Sequence, residues 1–212
     1  MSGSTPAFAA ARFWTGAGPN NLWSTPQNWQ GNVAPVSGDG VTFPDGALQN
    51  NNVNDLPSGT LLNTIAFHAT YVVSGNRVLI DNNIRVAGAN GTTVAFQCDI
   101  TNGGNGSTVL FIDVLAGNLL VTTGVISGAT PISKIDGGTW NISGAAANTY
   151  TGQTRAHAGT IVLSKPVGVA AVPAGLNIGD NSGGAAADVV RLASDKQIEG
   201  PVIIRSSGLL EL

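Results

Sequence analysis

The stretch Gly137–Leu163, GGTWNISGAAANTYTGQTRAHAGTIVL, contains a strand, a turn and a second strand. A short apolar segment runs from Thr139 to Ile142. Residues 148–152, Asn-Thr-Tyr-Thr-Gly, are typical of a turn, because Asn and Gly adopt turn conformations readily. A second apolar segment, Gly159–Leu163, follows. Short strands that alternate with Gly and Asn turns predict an all-β protein.

The composition of the whole chain agrees with this pattern. Only 10% of its 212 residues are charged, compared with roughly 25% in an average globular protein. Gly contributes 29 residues and Asn 20, and no window has the apolar period of an amphipathic helix. Candidate strands are Leu61–Phe67, Tyr71–Val73, Arg77–Ile80, Ile84–Val86, Thr93–Cys98, Thr108–Leu115, Asn118–Val121, Lys134–Ile135, Thr139–Ile142, Gly159–Leu163, Leu176–Ile178, Val189–Leu192, Val202–Ile204 and Leu209–Leu212.

These strands are compatible with a parallel β-helix, a solenoid, or alternatively with an antiparallel β-sandwich. The Ser74-Gly75-Asn76 segment favours a tight antiparallel hairpin. The variable spacing of the other strands favours coils wound around one axis, with apolar ladders inside. Gly and Asn would form the bends, because they tolerate positive φ. At ~22 residues per coil, residues 59–212 would form about seven coils, each rising about 4.8 Å.

Several segments resemble the autotransporter-associated β-strand repeat of bacterial surface proteins. GGTW (137–140), NTYTG (148–152) and AGTIVL (158–163) follow the order of strands and turns in that repeat, and residues 180–212 are similar to its downstream part. The opening FWTGAGPNNLWSTPQNW (13–29) with APVSGDGVTF (34–43) is similar to the start of many proteins that contain the repeat. The matching positions there are Trp14, Gly16, Trp23, Asn28, Trp29, Pro35, Gly38, Asp39 and Phe43.

The resemblance implies a right-handed parallel β-helix from the passenger region of a secreted Gram-negative surface protein. It also implies a mechanical role in place of a catalytic one. The first residues lack the basic start and apolar core of a secretory signal peptide. From the resemblance alone, we expect a secreted or cell-surface protein whose signal peptide is absent from this sequence.

Composition divides the chain into three parts. Residues 1–11 are predicted to be a leader or disordered segment, residues 12–58 a Trp-rich N-terminal cap, and residues 59–212 solenoid coils. The polar stretch Asn50–Asn54 is predicted to be the turn at the boundary. A cap would seal the strand edges at one end of the stack. Because a strand reaches Leu212 without polar closure, we expect the coils to be a fragment of a longer array.

Charge and hydropathy argue against several partners. No apolar run approaches the ~18 residues that a membrane-spanning helix needs. A net charge of −3, a pI of 5.1 and the lack of a basic run give no attraction for nucleic acid. Cys98 is the one cysteine, so no internal disulfide or structural zinc site can form. Its apolar neighbours predict a buried and inert thiol.

No pattern in the sequence predicts catalysis. The twelve acidic residues are scattered, without an Asp-Asp or Asp-x-Asp pair, and the two histidines, His68 and His157, lie far apart in the chain. Nucleophile-elbow, phosphate-binding and metalloprotease motifs are absent from the sequence. Asp180 and Asn181 in the turn at residues 179–184 offer too few oxygens for calcium. We therefore expect no enzyme activity, no cofactor and no bound metal.

Trp14, Trp23 and Trp29 allow two interpretations: a buried cap on the first coil, or an aromatic platform for sugar rings. The first leads to a non-enzymatic stalk or surface array for display or adhesion. The second leads to a carbohydrate-binding module, and a third possibility is a self-assembling extracellular fibre subunit. The expected partners are other copies joined end to end or adjacent coils of the parent chain, and a glycan or host surface.

Overall fold

The computed structural model describes residues 9–103 and 108–212. Most of the predicted leader therefore lies outside the described residues, with only its last three positions inside them. Every pairing between the strands of the described part is parallel. Regular helix is limited there to two short 3-10 turns, Pro26–Asn28 and Gln30–Asn32.

The strands belong to two sheets. The first sheet contains β1 (Ala11–Phe13), β2 (Gly40–Phe43), β4 (Leu61–Phe67), β6 (Val78–Val86), β8 (Ile100–Asn102), β9 (Leu110–Val114), β11 (Ile126–Gly128), β12 (Ile132–Ile135), β14 (Thr154–Ala156), β16 (Leu176–Ile178) and β18 (Val202–Ile204). The second contains β3 (Asn51–Asn54), β5 (Tyr71–Gly75), β7 (Thr93–Phe96), β10 (Leu119–Thr122), β13 (Thr139–Ile142), β15 (Gly159–Leu163), β17 (Asp188–Leu192) and β19 (Gly208–Glu211).

From β2 onward the chain crosses repeatedly between the two sheets, and each strand pairs with its counterparts in the neighbouring turns. The second sheet has one strand per turn, so its eight strands mark about eight turns of a parallel β-solenoid. Seven of those strands lie within residues 59–212, which confirms the predicted number of coils. The antiparallel sandwich is excluded by the parallel pairings. The right-handed sense of winding stays a prediction.

The first sheet bends into two faces. Residues Val78–Ile80 of β6 pair with β8, whereas Asn83–Val86 pair with β9. β4 pairs with β6, and a register shift between Leu62 and Thr64 of β4 lies opposite the break between these two parts of β6. With the second sheet as another face, these turns are three-sided.

The core is built from rows of inward side chains that stack from turn to turn. One row contains Ile112, Lys134, Ala156 and Ile178, each 22 residues after the last, as predicted for the coil length. All four side chains are buried. Burial of aliphatic side chains in such rows is the main source of stability in a fold whose surface carries few charges.

The three early tryptophans lie together at the start of the solenoid. The rings of Trp14 and Trp29 meet edge to face at 5.2 Å, and those of Trp23 and Trp29 at 6.2 Å. All three indoles contact Phe43 of β2, whose ring stacks on Phe67 of β4 at 4.9 Å. The aromatic cluster therefore continues directly into the interior of the first turns.

The asparagines at the bends differ from the prediction, which placed them there because they tolerate positive φ. Among the described residues only Asn32 and Asn181 are asparagines with positive φ. Most of the others at bends hold neighbouring turns together through side-chain hydrogen bonds. Asn148 Oδ1 accepts from the Ile126 amide at 2.9 Å, and its Nδ2 donates to the Ala171 carbonyl at 2.8 Å. The buried asparagines are Asn28, Asn52, Asn54, Asn102, Asn118 and Asn148.

The prediction that Asn50–Asn54 is a turn is wrong, and asparagine hydrogen bonds are again the reason. Residues Asn51–Asn54 form β3, which pairs with β5. Asn52 points inward and accepts from Trp23 Nε1 at 2.7 Å, and Asn54 Nδ2 donates to the Asn76 carbonyl at 2.9 Å. Inward asparagines are tolerated in this strand because these partners satisfy much of their hydrogen-bonding capacity.

The hairpin predicted at Ser74-Gly75-Asn76 is also wrong, since β5 and β6 do not pair with each other. Gly75 has a φ of 110°, and an added Cβ would lie 2.3 Å from the Asn54 carbonyl oxygen of the turn below. The glycine is needed here because the chain changes faces in close contact with the neighbouring turn.

Candidate functional site

The tryptophans predicted as a possible sugar platform lie in the interior. Trp14 and Trp23 are 0% exposed and Trp29 is 1% exposed. Each indole N–H also has a partner inside the protein: Trp14 donates to the Gln49 carbonyl, Trp23 to Asn52 and Trp29 to the Trp23 carbonyl. Stacking on a sugar needs an exposed ring face, which this arrangement does not provide.

Cys98 and Asp180 have simple structural surroundings. Cys98 is buried, and burial raises the pKa of its thiol to about 12, so the thiolate needed for reactivity is suppressed. Asp180 caps its own turn, because its Oδ1 accepts from the Ser182 amide at 2.8 Å. The described residues contain no group of three or more acidic, His or Cys side chains arranged to hold a metal ion.

A buried charge cluster lies where the first sheet turns toward the second. Lys134 is 0% exposed, and its Nζ donates to the carbonyls of Ile135, Asp136 and Ala158 at 2.8, 2.6 and 3.1 Å. Burial lowers its pKa to about 8. All three donors of the ammonium group are used, so the lysine secures a bend.

Asp113 is the acidic member of this cluster. Its Oδ2 accepts from Arg85 Nη1 at 2.8 Å, and its side chain is 4% exposed. Burial, followed by the nearby Asp136 carboxyl group, raises the pKa of Asp113 to about 6. The two aspartates are 23 positions apart in the sequence, so a linear search for acidic pairs does not find them.

A separate polar cavity of about 370 Å³ lies on the outer surface of the first sheet. We call it the basic groove. It is lined by Gln153, Arg155, His157, Asn177, Gly179, Asp180 and Arg205. The volume is within the range of small-molecule sites, roughly 300–1,000 Å³.

Strand register explains why these residues meet. Arg155 of β14 pairs with Asn177 of β16, and both point outward because their neighbours in each strand are buried. Backbone hydrogen bonds at the ends of these strands continue the register, which places His157, Gly179 and Arg205 side by side in three successive turns.

Gly179 is also required by its backbone. Its φ is 100°, and an added Cβ would lie 2.9 Å from both the Gly208 amide nitrogen and Ser207 Oγ. The same Ser207 oxygen accepts from the amides of Asp180 and Asn181 at 3.1 and 2.9 Å. This turn is therefore held firmly at the edge of the basic groove.

The groove combines cationic donors with neutral and anionic acceptors. Arg155 Nε donates to Gln153 Oε1 at 3.3 Å, and Asn177 Nδ2 donates to the same oxygen at 3.0 Å. Among the described residues, neither Arg155 nor Arg205 forms an ion pair, although four other arginines do. Asn177 Oδ1 has no hydrogen-bond partner within that part of the chain. The groove can therefore bind a ligand that carries both an anionic group and hydroxyl donors.

The fold and the groove define the class of this chain: it is a parallel β-solenoid with the basic groove on one outer face, and hydrogen bonds join some of the side chains in that groove. No protein-family model matches the sequence, and no curated protein or solved structure is significantly similar to it. No helix within residues 9–103 and 108–212 has the length and apolar character needed to cross a membrane.

The groove was not predicted from the sequence, in which His157 and Asp180 lie in separate segments. In the sequence His157 lies far from His68, the other histidine, and no catalytic pattern includes it. Of the other groove residues, Gly179 and Arg205 lie one and two turns away from it. Outward polar residues one coil apart are the signal that could have found the site, but the coil between Ile178 and Ile204 has 26 residues in place of 22.

Proposed function

We propose that this chain is a non-enzymatic structural module whose stacked coils form a stiff stalk or surface array for display or adhesion. The continuous interior carries the proposal. Inward rows run through successive turns, and parallel strands link each turn to the next through backbone hydrogen bonds. To extend the rod, both the hydrogen bonds and the packed rows must be broken one turn at a time.

The proposed location is the exterior of a Gram-negative cell, following secretion. The likeness of residues 137–163 and of the Trp-rich opening to autotransporter-associated repeats supports this location. The low fraction of charged residues and the dense hydrogen bonding at the bends also suit a protein exposed to proteases, because few segments can open locally.

Single-molecule pulling tests the mechanical role. With handles at the two ends of the described solenoid, we expect stepwise unfolding in which each turn releases about 70 Å, the length of ~22 extended residues less the strand spacing. Ile112 is a buried residue of β9, and its neighbour Phe111 is 36% exposed. Ile112→Ala should lower the unfolding force of the middle turns, whereas Phe111→Ala should leave it nearly unchanged.

Equal forces in the two variants, or extension without discrete steps, would contradict the mechanical proposal. Far-UV circular dichroism of each variant, recorded before pulling, shows whether the β-structure is retained. A spectrum dominated by helix would contradict the fold on which the proposal is based.

A specific observation favours a second candidate, the self-assembling fibre subunit. β18 and β19 each have a neighbour on one side only, and Ile203 and Ile204 are both 51% exposed. Ile204 continues the inward row of Ile178, so another turn would cover it. That turn would come from the parent chain or from a second copy. If copies join end to end, light scattering should show particles that become larger as the protein concentration increases. Ile204→Lys should prevent this increase in size.

A further inference from the structure

We propose that the basic groove is a binding site for an acidic carbohydrate, a sugar unit that carries one carboxylate and neighbouring hydroxyl groups. The inference goes beyond the mechanical role and does not depend on it. It is based on how the groove distributes donors and acceptors.

The two arginines favour an anionic group. Arg155 and Arg205 both line the groove, and neither has a carboxylate partner among the described residues. Planar guanidinium groups bind carboxylates through paired N–H donors, and this geometry gives both strength and orientation. His157 also lines the cavity and brings a ring nitrogen to it.

The acceptors in the same cavity favour hydroxyl groups over a densely charged polyanion. Asp180 lines the groove, and one of its two carboxylate oxygens is used to cap the Ser182 amide. Asn177 Oδ1 also lacks a partner in the described part of the chain, but this atom is buried in the wall of the groove, so the exposed Asp180 supplies the acceptor that a ligand can reach. A carboxylate at the site repels polyphosphates and nucleic acid, whereas a sugar hydroxyl can donate to it.

The groove is also preorganised for a ligand of this size. Gln153 Oε1 accepts from both Arg155 and Asn177, which fixes these side chains relative to each other. The Ser207 hydroxyl accepts from the Asp180 and Asn181 amides, which holds the adjoining turn at the edge of the groove. A cavity of about 370 Å³ accommodates one or two sugar rings.

Titration calorimetry with a short oligogalacturonate tests the proposal, with a neutral oligosaccharide of equal length as the reference ligand. We expect binding of the acidic ligand alone. Arg155→Gln and Arg205→Gln should each weaken it by about tenfold or more, since each removes a charge-assisted contact. Arg77→Gln is the matched control, because Arg77 is exposed and lies elsewhere in an ion pair with Asp99.

Asp180→Asn separates a sugar from a simple anion. It retains an oxygen that can cap the Ser182 amide and removes the negative charge. We expect weaker binding of oligogalacturonate and stronger binding of tripolyphosphate by this variant. Equal binding of the neutral sugar, unchanged binding by both arginine variants, or tighter oligogalacturonate binding by Asp180→Asn would overturn the proposal. Far-UV circular dichroism of every variant checks that the solenoid is folded.

Discussion

Lys134 lies directly beside Ile112 of the preceding turn, at an inward position of a row whose other members are aliphatic. A charged side chain fits there because it reaches three backbone carbonyls at the bend. The arrangement secures the bend but requires an ammonium group to lose its water. Stability should therefore depend on the protonation state of this lysine.

The first prediction concerns pH. Burial lowers the pKa of Lys134 to about 8 from an ordinary value near 10.5, so between these values the unfolded chain binds more protons than the folded one. Stability therefore rises with pH in this window, and the folded state carries the full penalty below pH 8. Relative to Lys134→Met, the native chain should gain about 2 kcal/mol between pH 7 and pH 9.5.

Urea unfolding at both pH values measures this gain. The comparison with Lys134→Met cancels the effects of Cys98 and the tyrosines, which titrate in the same region or above it. Lys196→Met is the control, since Lys196 is exposed. A pH dependence that is identical in the native chain and in Lys134→Met would contradict the assignment.

The second prediction concerns Asp113, for which the sign is opposite to that expected of most acids. Burial and the Asp136 carboxyl group raise its pKa to about 6, so the folded state holds a proton that the unfolded state has lost between about pH 4 and pH 6. This contribution to stability is present at low pH and is lost as the pH rises through the window. Asp113→Asn should remove it, whereas Glu199→Gln at an exposed position should not.

Unfolding midpoints measured at pH 4.5 and pH 7 provide the comparison. The stability of the native chain relative to Asp113→Asn should be greater at pH 4.5. If the difference between the two proteins is constant or reversed, the pKa of Asp113 is not raised in the folded state.

The third prediction concerns the backbone at Gly75. Gly75 and Gly59 have similar φ values of 110° and 100°, but an added Cβ would meet the Asn54 carbonyl oxygen at 2.3 Å in the first case and open space in the second. Alanine at either position incurs strain of about 1–2 kcal/mol. Gly75→Ala should be destabilised by at least about 2 kcal/mol more, because the neighbouring turn must move.

The two alanine variants are compared by urea unfolding under the same conditions. Their matched φ values isolate the contact between turns from the cost of the backbone conformation. Equal losses of stability would mean that adjacent turns are not packed closely at this bend.

The fourth prediction concerns the aromatic cluster. Trp14, Trp23, Trp29 and Trp140 are at most 1% exposed. Their fluorescence should be blue-shifted, resistant to quenching by acrylamide and insensitive to added glycans, because the solvent and ligands cannot reach the rings. Val36→Trp places an indole at a position that is 47% exposed, and this added emission should be quenched readily. Strong quenching of the native protein would place the tryptophans at the surface.

Much of the fold could be predicted because its strands are apolar and bounded by Gly or Asn. The candidate strands Leu61–Phe67, Thr139–Ile142, Gly159–Leu163 and Leu176–Ile178 have the bounds found in the structure. β3 was missed because its inward residues are asparagines, and their hydrogen-bond partners belong to other turns. Polar side chains inside a solenoid cannot be distinguished from loop residues without those partners.

The groove and the charge cluster were harder to predict for a related reason. Arg155 and Arg205 are 50 positions apart, and Asp113 and Asp136 are 23 apart. Which outward residues meet depends on the length of each coil, and those lengths vary where loops leave the sheets. Only the register between paired strands shows which residues that are distant in the sequence lie close together in space.

The aromatic cluster at the first turns has a consequence for how the molecule assembles. Most strands gain their second hydrogen-bonded neighbour from the next turn. Each folded turn therefore offers a strand edge with which the following turn can pair. The rings of Trp14, Trp23 and Trp29 join those of Phe43 and Phe67 in one continuous aromatic cluster in the early part of the chain. Nucleation at this end would give folding a direction, with later turns added in order along the rod.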